Sequence, residues 1–287
     1  MTTNKQVLVY VSFFTLLSIF YKKMSLLFSM SGDYCFLITF KPCRKFEYVM
    51  TYCTHFQKDT QLTIDKSGLT VSQLSPARNL VTKMYIPAEY FNTYEVSETI
   101  TIGIDVSTFV RMYNGDTRIN AMYMEKHEPH KIRLLAETKH GERRVTVDTL
   151  LLESFKVDFD DFTENVTWSC TVSSEWIHSS MNDISRIKDT IVKAQLNWNG
   201  TAFSLSGINM EHVTITSNGT PGETPAVRVN HVHMHAASSD ISKISPMANI
   251  TVYKHREGDD AGLLKVSCSD PERGITITIL MLANVFF

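Results

Sequence analysis

From Cys35 onward the chain alternates. Short runs in which every second residue is apolar recur between polar turns, and each predicts a strand with one face on a core and the other toward water. In the first half these runs are Cys35–Phe40, Gln61–Asp65, Leu69–Leu74, Leu80–Ile86, Thr99–Ile104, Ile119–Met124, Lys131–Glu137 and Glu142–Leu150. Two segments break the period of two. Lys41–Phe56 places Phe46, Val49, Met50 and Cys53 at helical spacing, and Val106–Asn114 follows Asp105, whose short carboxylate suits a helix N-cap. The same order returns in the second half. Strands are expected at Thr167–Val172, Ile191–Leu196, Ala202–Ser206, His212–Ser217, Val227–His235, Ile250–Lys254, Leu263–Cys268 and Gly274–Leu282. One helix is expected after Ser173, with Trp176, Ile177, Ser180, Met181 and Ile184 on one face. Another covers Ala236–Ile244 and stops ahead of Pro246.

The two halves repeat each other. Leu62–Leu74 and Ala194–Ser206 are both a strand, a polar turn closed by glycine and an alternating strand, and Gly68 and Gly200 lie 132 positions apart. Ile102–Phe109 and Val232–Asp240 form a second matched pair at nearly the same offset. A duplicated unit of this size implies two similar domains. Each amphipathic helix must pack on a sheet, so helices cover one face of the strands. The expected division is an apolar N-terminal extension (1–33), a first domain (34–150), a connector (151–165) and a second domain (166–287). The connector is acidic and studded with Phe155, Phe159 and Phe162.

Composition narrows the classes. With 287 residues, 43% apolar and 20% charged, the chain can bury two cores. A net charge of −2 means that any surface for nucleic acid is a local patch. Cys35, Cys43, Cys53, Cys170 and Cys268 form no CxxC pair and read as reduced thiols of an intracellular protein. Four Asn-x-Thr triplets, at Asn165, Asn199, Asn218 and Asn249, support the contrary reading of a secreted glycoprotein. The apolar run Val7–Phe20 is shorter than the roughly 20 residues of a bilayer span. It reads as an extension, with Met24 or Met30 as the working start, or else as a signal or anchor. No HExxH, GxSxG or phosphate-cradling glycine loop occurs, and Glu175 and Asp183 have no partner acid, so no enzyme activity and no cofactor are expected. His231-x-His233-x-His235 would share one face of the expected strand, but a metal site there is discounted.

Asp65–Leu74, Tyr90-Phe-Asn-Thr-Tyr94, Ile102–Phe109, Ile187–Val192 and Phe203–Gly207 resemble, in order and local pattern, segments of the DNA sliding clamps of the proliferating cell nuclear antigen family. The resemblance runs from about Cys35 to about Asn284. It implies an α+β DNA-clamp fold: two similar domains, each of two βαβββ units, with helices lining the inside of a ring and sheets outside. It further implies a trimer of this chain that encircles double-stranded DNA, a clamp loader, and a DNA polymerase and other partners that dock by short peptides. The setting would be a nucleus or a site of viral DNA replication. Mapped onto this sequence, the DNA-facing candidates are Lys41, Arg44, Lys45, Arg111, Arg118, Arg186, Lys188 and Lys243. The peptide pocket would use Leu74, Val81, Val157, Phe159, Met281 and Leu282. The second domain carries few cations on its helices, and the chain ends in Asn284-Val-Phe-Phe287 instead of the family's Pro and acidic tail. Both departures suit the alternatives of a specialised heterotrimeric clamp subunit, as in a DNA-damage checkpoint, or a viral clamp-like transcription factor.

Overall fold

A computed structural model describes residues 33–41, 45–55, 57–111, 118–152, 166–186, 193–207, 210–216, 219–220, 226–254 and 261–286. The first half runs β1 (Tyr34–Thr39), α1 (Lys45–Cys53), β2 (Asp59–Asp65), β3 (Gly68–Leu74), β4 (Leu80–Pro87), β5 (Thr93–Val96), β6 (Ile100–Asp105), α2 (Val106–Arg111), β7 (Arg118–Glu125), β8 (Lys131–Thr138) and β9 (Gly141–Asp148). The second runs β10 (Val166–Ser173), α3 (Ser174–Ser185), β11 (Lys193–Trp198), β12 (Ala202–Gly207), β13 (Met210–Ile215), β14 (Gly219–Thr220), β15 (Ala226–Asn230), α4 (His231–Ile244), β16 (Met247–Lys254), β17 (Ala261–Ser269) and β18 (Thr276–Phe286). Setting aside the short β5 and β14, each half is two βαβββ units.

Local chemistry explains the helix starts. Asp105 Oδ1 accepts from the Ser107 N–H at 2.9 Å at the head of α2. Ser173 Oγ accepts from the Trp176 N–H at 3.3 Å at the head of α3. Each such cap contributes on the order of 1 kcal/mol. A third cap corrects the sequence reading. Asn230 Oδ1 accepts from the Val232 N–H at 2.9 Å, so α4 begins at His231 and not at Ala236. The alternation of Val227–His235 suits a strand, but Met234, Ala237 and Ile241 bury at helical spacing, and that burial outweighs it. The first helix is also shorter than expected: α1 occupies Lys45–Cys53 of the predicted Lys41–Phe56.

All strand pairs are antiparallel. One sheet has the order β5-β1-β7-β8-β9. The other runs β13-β12-β11-β15-β18-β17-β16-β10-β14, and β4, β3, β2 and β6 join it through β18. β18 therefore binds the halves together. One of its edges pairs with β17 from Ser269↔Thr276 to Ala261↔Asn284. Its other edge is divided: Thr276–Met281 pairs with β4 of the first half, and Asn284–Phe286 pairs with β15 of the second. Between the two stretches the Leu282 N–H donates to the Asn79 carbonyl at 2.9 Å. The first half has a counterpart. Beyond β9, Leu150 exchanges two backbone hydrogen bonds with Gly103 on β6, at 2.8 and 3.2 Å.

The helices lie against these sheets in pairs, α1 with α2 and α3 with α4, and α1 also packs on α4 across the halves. Phe40, Phe46 and Phe91 meet at ring distances of 4.6 and 5.5 Å beneath α1. Trp168, Trp198, Trp176 and Phe203 form the matching aromatic nucleus under α3.

The two repeated glycines have different jobs. A Cβ on Gly68 would collide with the Ile86 carbonyl and come within 2.9 Å of the Tyr85 ring, whereas Gly200 has open space around it but a φ of 97°. Gly68→Ala is expected to destabilise the protein by about 3 kcal/mol through overpacking between β3 and β4. Gly200→Ala should cost only about 1 kcal/mol of left-handed backbone strain. Urea unfolding midpoints at unchanged slope measure both, and a reversed order would contradict the packing described here.

Candidate nucleic-acid interface and partner groove

The basic candidates lie on different elements. Arg44 and Lys188 lie outside the described residues, and Lys45 opens α1 with an undescribed side chain. Lys41 precedes the helix, and its Nζ donates to the Glu89 carbonyl at 2.6 Å. It lines a cleft with Glu89, Tyr90 and the turn Pro271–Gly274, so it sits at the junction of the halves and off the helix face. Arg111 ends α2 and Arg118 opens β7, both exposed. Arg186, at the end of α3, is 3.5 Å from Asp183. Lys243, on α4, is 2.9 Å from Asp240, and its Nζ lies 5.9 Å from the centre of the Tyr48 ring on α1.

Asp240 is a buried carboxylate and needs compensation. Lys243 supplies one partner, and His55, from the turn after α1, supplies another at 3.3 Å. This three-residue contact ties the helix layers of the two halves together.

A histidine cluster lies beside it, and the expected strand over Val227–His235 concealed it. In a helix beginning at His231, His231 and His235 share a face one turn apart and His233 points elsewhere. Asn182 on α3 bridges two imidazoles: its Nδ2 is 3.1 Å from His178 Nε2 and its Oδ1 is 2.8 Å from His235 Nε2. The two rings stack with centres 6.1 Å apart. Burial pushes the His235 imidazolium below the ordinary histidine range, and the charges of His178, His231 and His55 add to that. Burial alone lowers His233. A spacing of four between His231 and His235 was the available signal, readable only once the helix is known.

The groove candidates divide by strand geometry. Leu74 on β3 faces Val81 on β4, and Val81 faces Leu280 on β18, so the three side chains form a row on one face of the sheet. Leu282, two residues on, shares that face and is 55% exposed. Met281 points the other way, pairs with Leu80 and belongs to the core, which removes it from the groove. Adjacent strand residues cannot both line one face, and it is Leu280, itself 4% exposed, that shares the face of Val81. Val157 and Phe159 lie outside the described residues.

Several strands end their sheets among the described residues, β5 and β14 as well as β9 and β13, and the last two are the longer. β9 pairs only with β8 and exposes Arg143 and Arg144. β13 pairs only with β12, and its Val213 and Ile215 are 59% and 87% exposed. Glu125, His127 and Glu128 cluster at the β7–β8 turn with atoms close enough for a metal. Arg133 reaches both glutamates and Lys131 reaches Glu128, so the cluster is a closed ion-pair network. Those hydrogen bonds hold the Glu128 carboxyl down at about 2.

Comparison with known proteins reproduces this architecture. The crystal structure of the PCNA2–PCNA3 complex from Sulfolobus tokodaii matches at a TM-score of 0.71 and 15% identity, over 86% of this chain and 98% of that one. The proliferating cellular nuclear antigen of Entamoeba histolytica matches at 0.70 and 11%, over 88% and 100%. The chain has the sliding-clamp fold. In sequence, the DNA polymerase sliding clamp of Pyrococcus furiosus is 20% identical over 158 residues, which is 54% of this chain and 61% of that clamp. DNA polymerase sliding clamp 3 of Sulfurisphaera tokodaii is 24% identical over 106 residues, 43% of its length. The chain thus spans about three fifths or less of the curated relatives it matches, and no protein-family model matches it. Fold and sequence together support the resemblance to the proliferating cell nuclear antigen family.

The clamp sheet predicts a contrast at its C-terminal strand. Met281→Ala should destabilise the protein by about 2–5 kcal/mol by emptying core space. Leu282→Ala should stay within about 0.5 kcal/mol of the parent. Thermal or urea unfolding of the two variants distinguishes the faces.

Proposed function

We propose that this protein is a DNA sliding clamp, a processivity factor that encircles duplex DNA and tethers a DNA polymerase. One observation carries the reading: four βαβββ units match solved clamp chains over 98–100% of their length, and β9 and β13 each leave one edge unpaired among the described residues. Three copies would close head to tail by adding β9 of one to β13 of the next. That pairing would satisfy two rows of backbone groups and cover Val213 and Ile215. The helices would line the hole, where Arg111 and Lys45 would touch phosphates without reading bases. Partner peptides would seat an apolar anchor on Leu74, Val81, Leu280 and Leu282, with Val157 and Phe159 of the connector closing the pocket. A clamp loader would open the ring.

A mixed ring is the second reading. It is favoured by the similarity to a PCNA2–PCNA3 complex and by the likeness to a clamp numbered 3. Here the chain would contribute one arc among different subunits.

Sedimentation of the pure chain separates the two. A homotrimer runs at three times 32.7 kDa, and a mixed-ring subunit runs as a monomer until its partners are added. Ile215→Glu combined with Val213→Glu should dissociate the homotrimer at micromolar concentration. Primer extension on a circular template with the cognate polymerase and loader should give longer products when the protein is present. Unchanged product length would count against the clamp reading. Leu282→Glu should reduce that stimulation by about tenfold or more while leaving the ring intact, because it places a charge on the exposed member of the apolar row.

A further inference from the structure

The permanent cations of the second-half helices are already used. Arg186 is held by Asp183 and Lys243 by Asp240, each on its own helix. Across α3, its capping Arg186 and α4, the carboxylates Glu175, Asp183 and Asp240 outnumber the cations Arg186 and Lys243 by one. The same helices carry four histidines, His178, His231, His233 and His235, so full protonation would turn one net negative charge into three positive charges.

We propose that the α3–α4 seam is a titrating phosphate-binding site, in which His178, His231 and His235 supply the charge that the second-half lining otherwise lacks. This rests on the clamp reading, which turns these helices toward the duplex.

The hydrogen bonds of Asn182 make the seam a two-state device. Its amide orientation sets the tautomers: the Asn182 Nδ2–H donates to His178 Nε2, and the His235 Nε2–H donates to Asn182 Oδ1. The remaining nitrogen of His178, Nδ1, is shielded from water and has no hydrogen-bond partner. A proton on His178 turns its Nε2 into a donor and breaks the bond from Asn182. The freed N–H groups then need an acceptor, and a backbone phosphate has the right charge and geometry. The groups whose charges reach His235 are His178 from α3, His231 from its own helix and His55 from the turn after α1, all cationic when protonated. His55 is itself 3.3 Å from Asp240. Burial and these neighbouring charges disfavour a proton on His235 in the free protein, and a bound phosphate offsets both. Affinity for duplex should therefore rise as pH falls through and below the ordinary imidazole range near about 6.5.

The test is fluorescence anisotropy of a labelled DNA duplex with the full chain, in EDTA and about 0.1 M salt, from about pH 8 to about pH 5.5. Each phosphate newly neutralised at this salt is worth on the order of tenfold in affinity. The parent should gain at least that factor on acidification, and its salt dependence should steepen. The His178→Gln, His235→Gln double variant should gain less than about twofold. A His178→Lys, His235→Lys variant should bind at about pH 8 as the parent does at acid pH, a rescue that a merely structural role would not produce. An equal acid gain in the glutamine variant, or a flat parent profile with measurable binding, overturns the seam and leaves the clamp reading standing. Absence of duplex binding at every pH overturns both.

Discussion

The structure depends on the hydrogen-bonding of one strand. β18 is eleven residues long, and its outer edge is too long for either neighbour alone. β4 takes its first part and β15 its last. A buried backbone N–H or C=O left without a partner costs about as much as a lost hydrogen bond, so both halves must hold their register on this strand together. Through it, two duplicated units become one continuous sheet, and their helices are brought to a common side. The contact of His55 with Asp240, at 3.3 Å, repeats the linkage in the helix layer.

The same strand locates the groove. Because successive side chains alternate, the pairing that buries Met281 with Leu80 puts Leu280 and Leu282 on the opposite face beside Val81, Leu280 covered and Leu282 exposed. The apolar row is thus a by-product of joining the halves, which explains why it lies at their junction. The continuous sheet also terminates in β13, far along the strand order from β4, while the separate five-stranded sheet terminates in β9.

The two halves answer the same requirement with different chemistry. The glycine of the first repeated hairpin is there because β4 approaches it closely, and that of the second because of its backbone angle. The helices differ in the same way. Exposed Arg111 closes α2 in the first half, whereas on α3 and α4 the arginine and the lysine are paired with acids and histidines occupy the shared seam. Equal architecture therefore does not mean an equal surface potential.

Most strands, the duplication and the caps at Asp105 and Ser173 were legible in the sequence, because period-two burial and short side-chain caps are local properties. So was the resemblance to clamps, which the matching folds support. Three things were not legible. The start of α4 required knowing that Met234, Ala237 and Ile241 bury on a sheet, since His231–His235 satisfies either period. The orientation of Met281 and Leu280 required the register with β4, to which nothing near residue 281 refers. The Asn182 bridge to His178 is completed by His235, 53 positions from Asn182. Neighbours along the chain suffice to show which segments can be strands or helices and that the unit occurs twice. Which faces look outward, which charges cancel and where the two units join were decided only by the tertiary structure, because each depends on a partner brought close by folding.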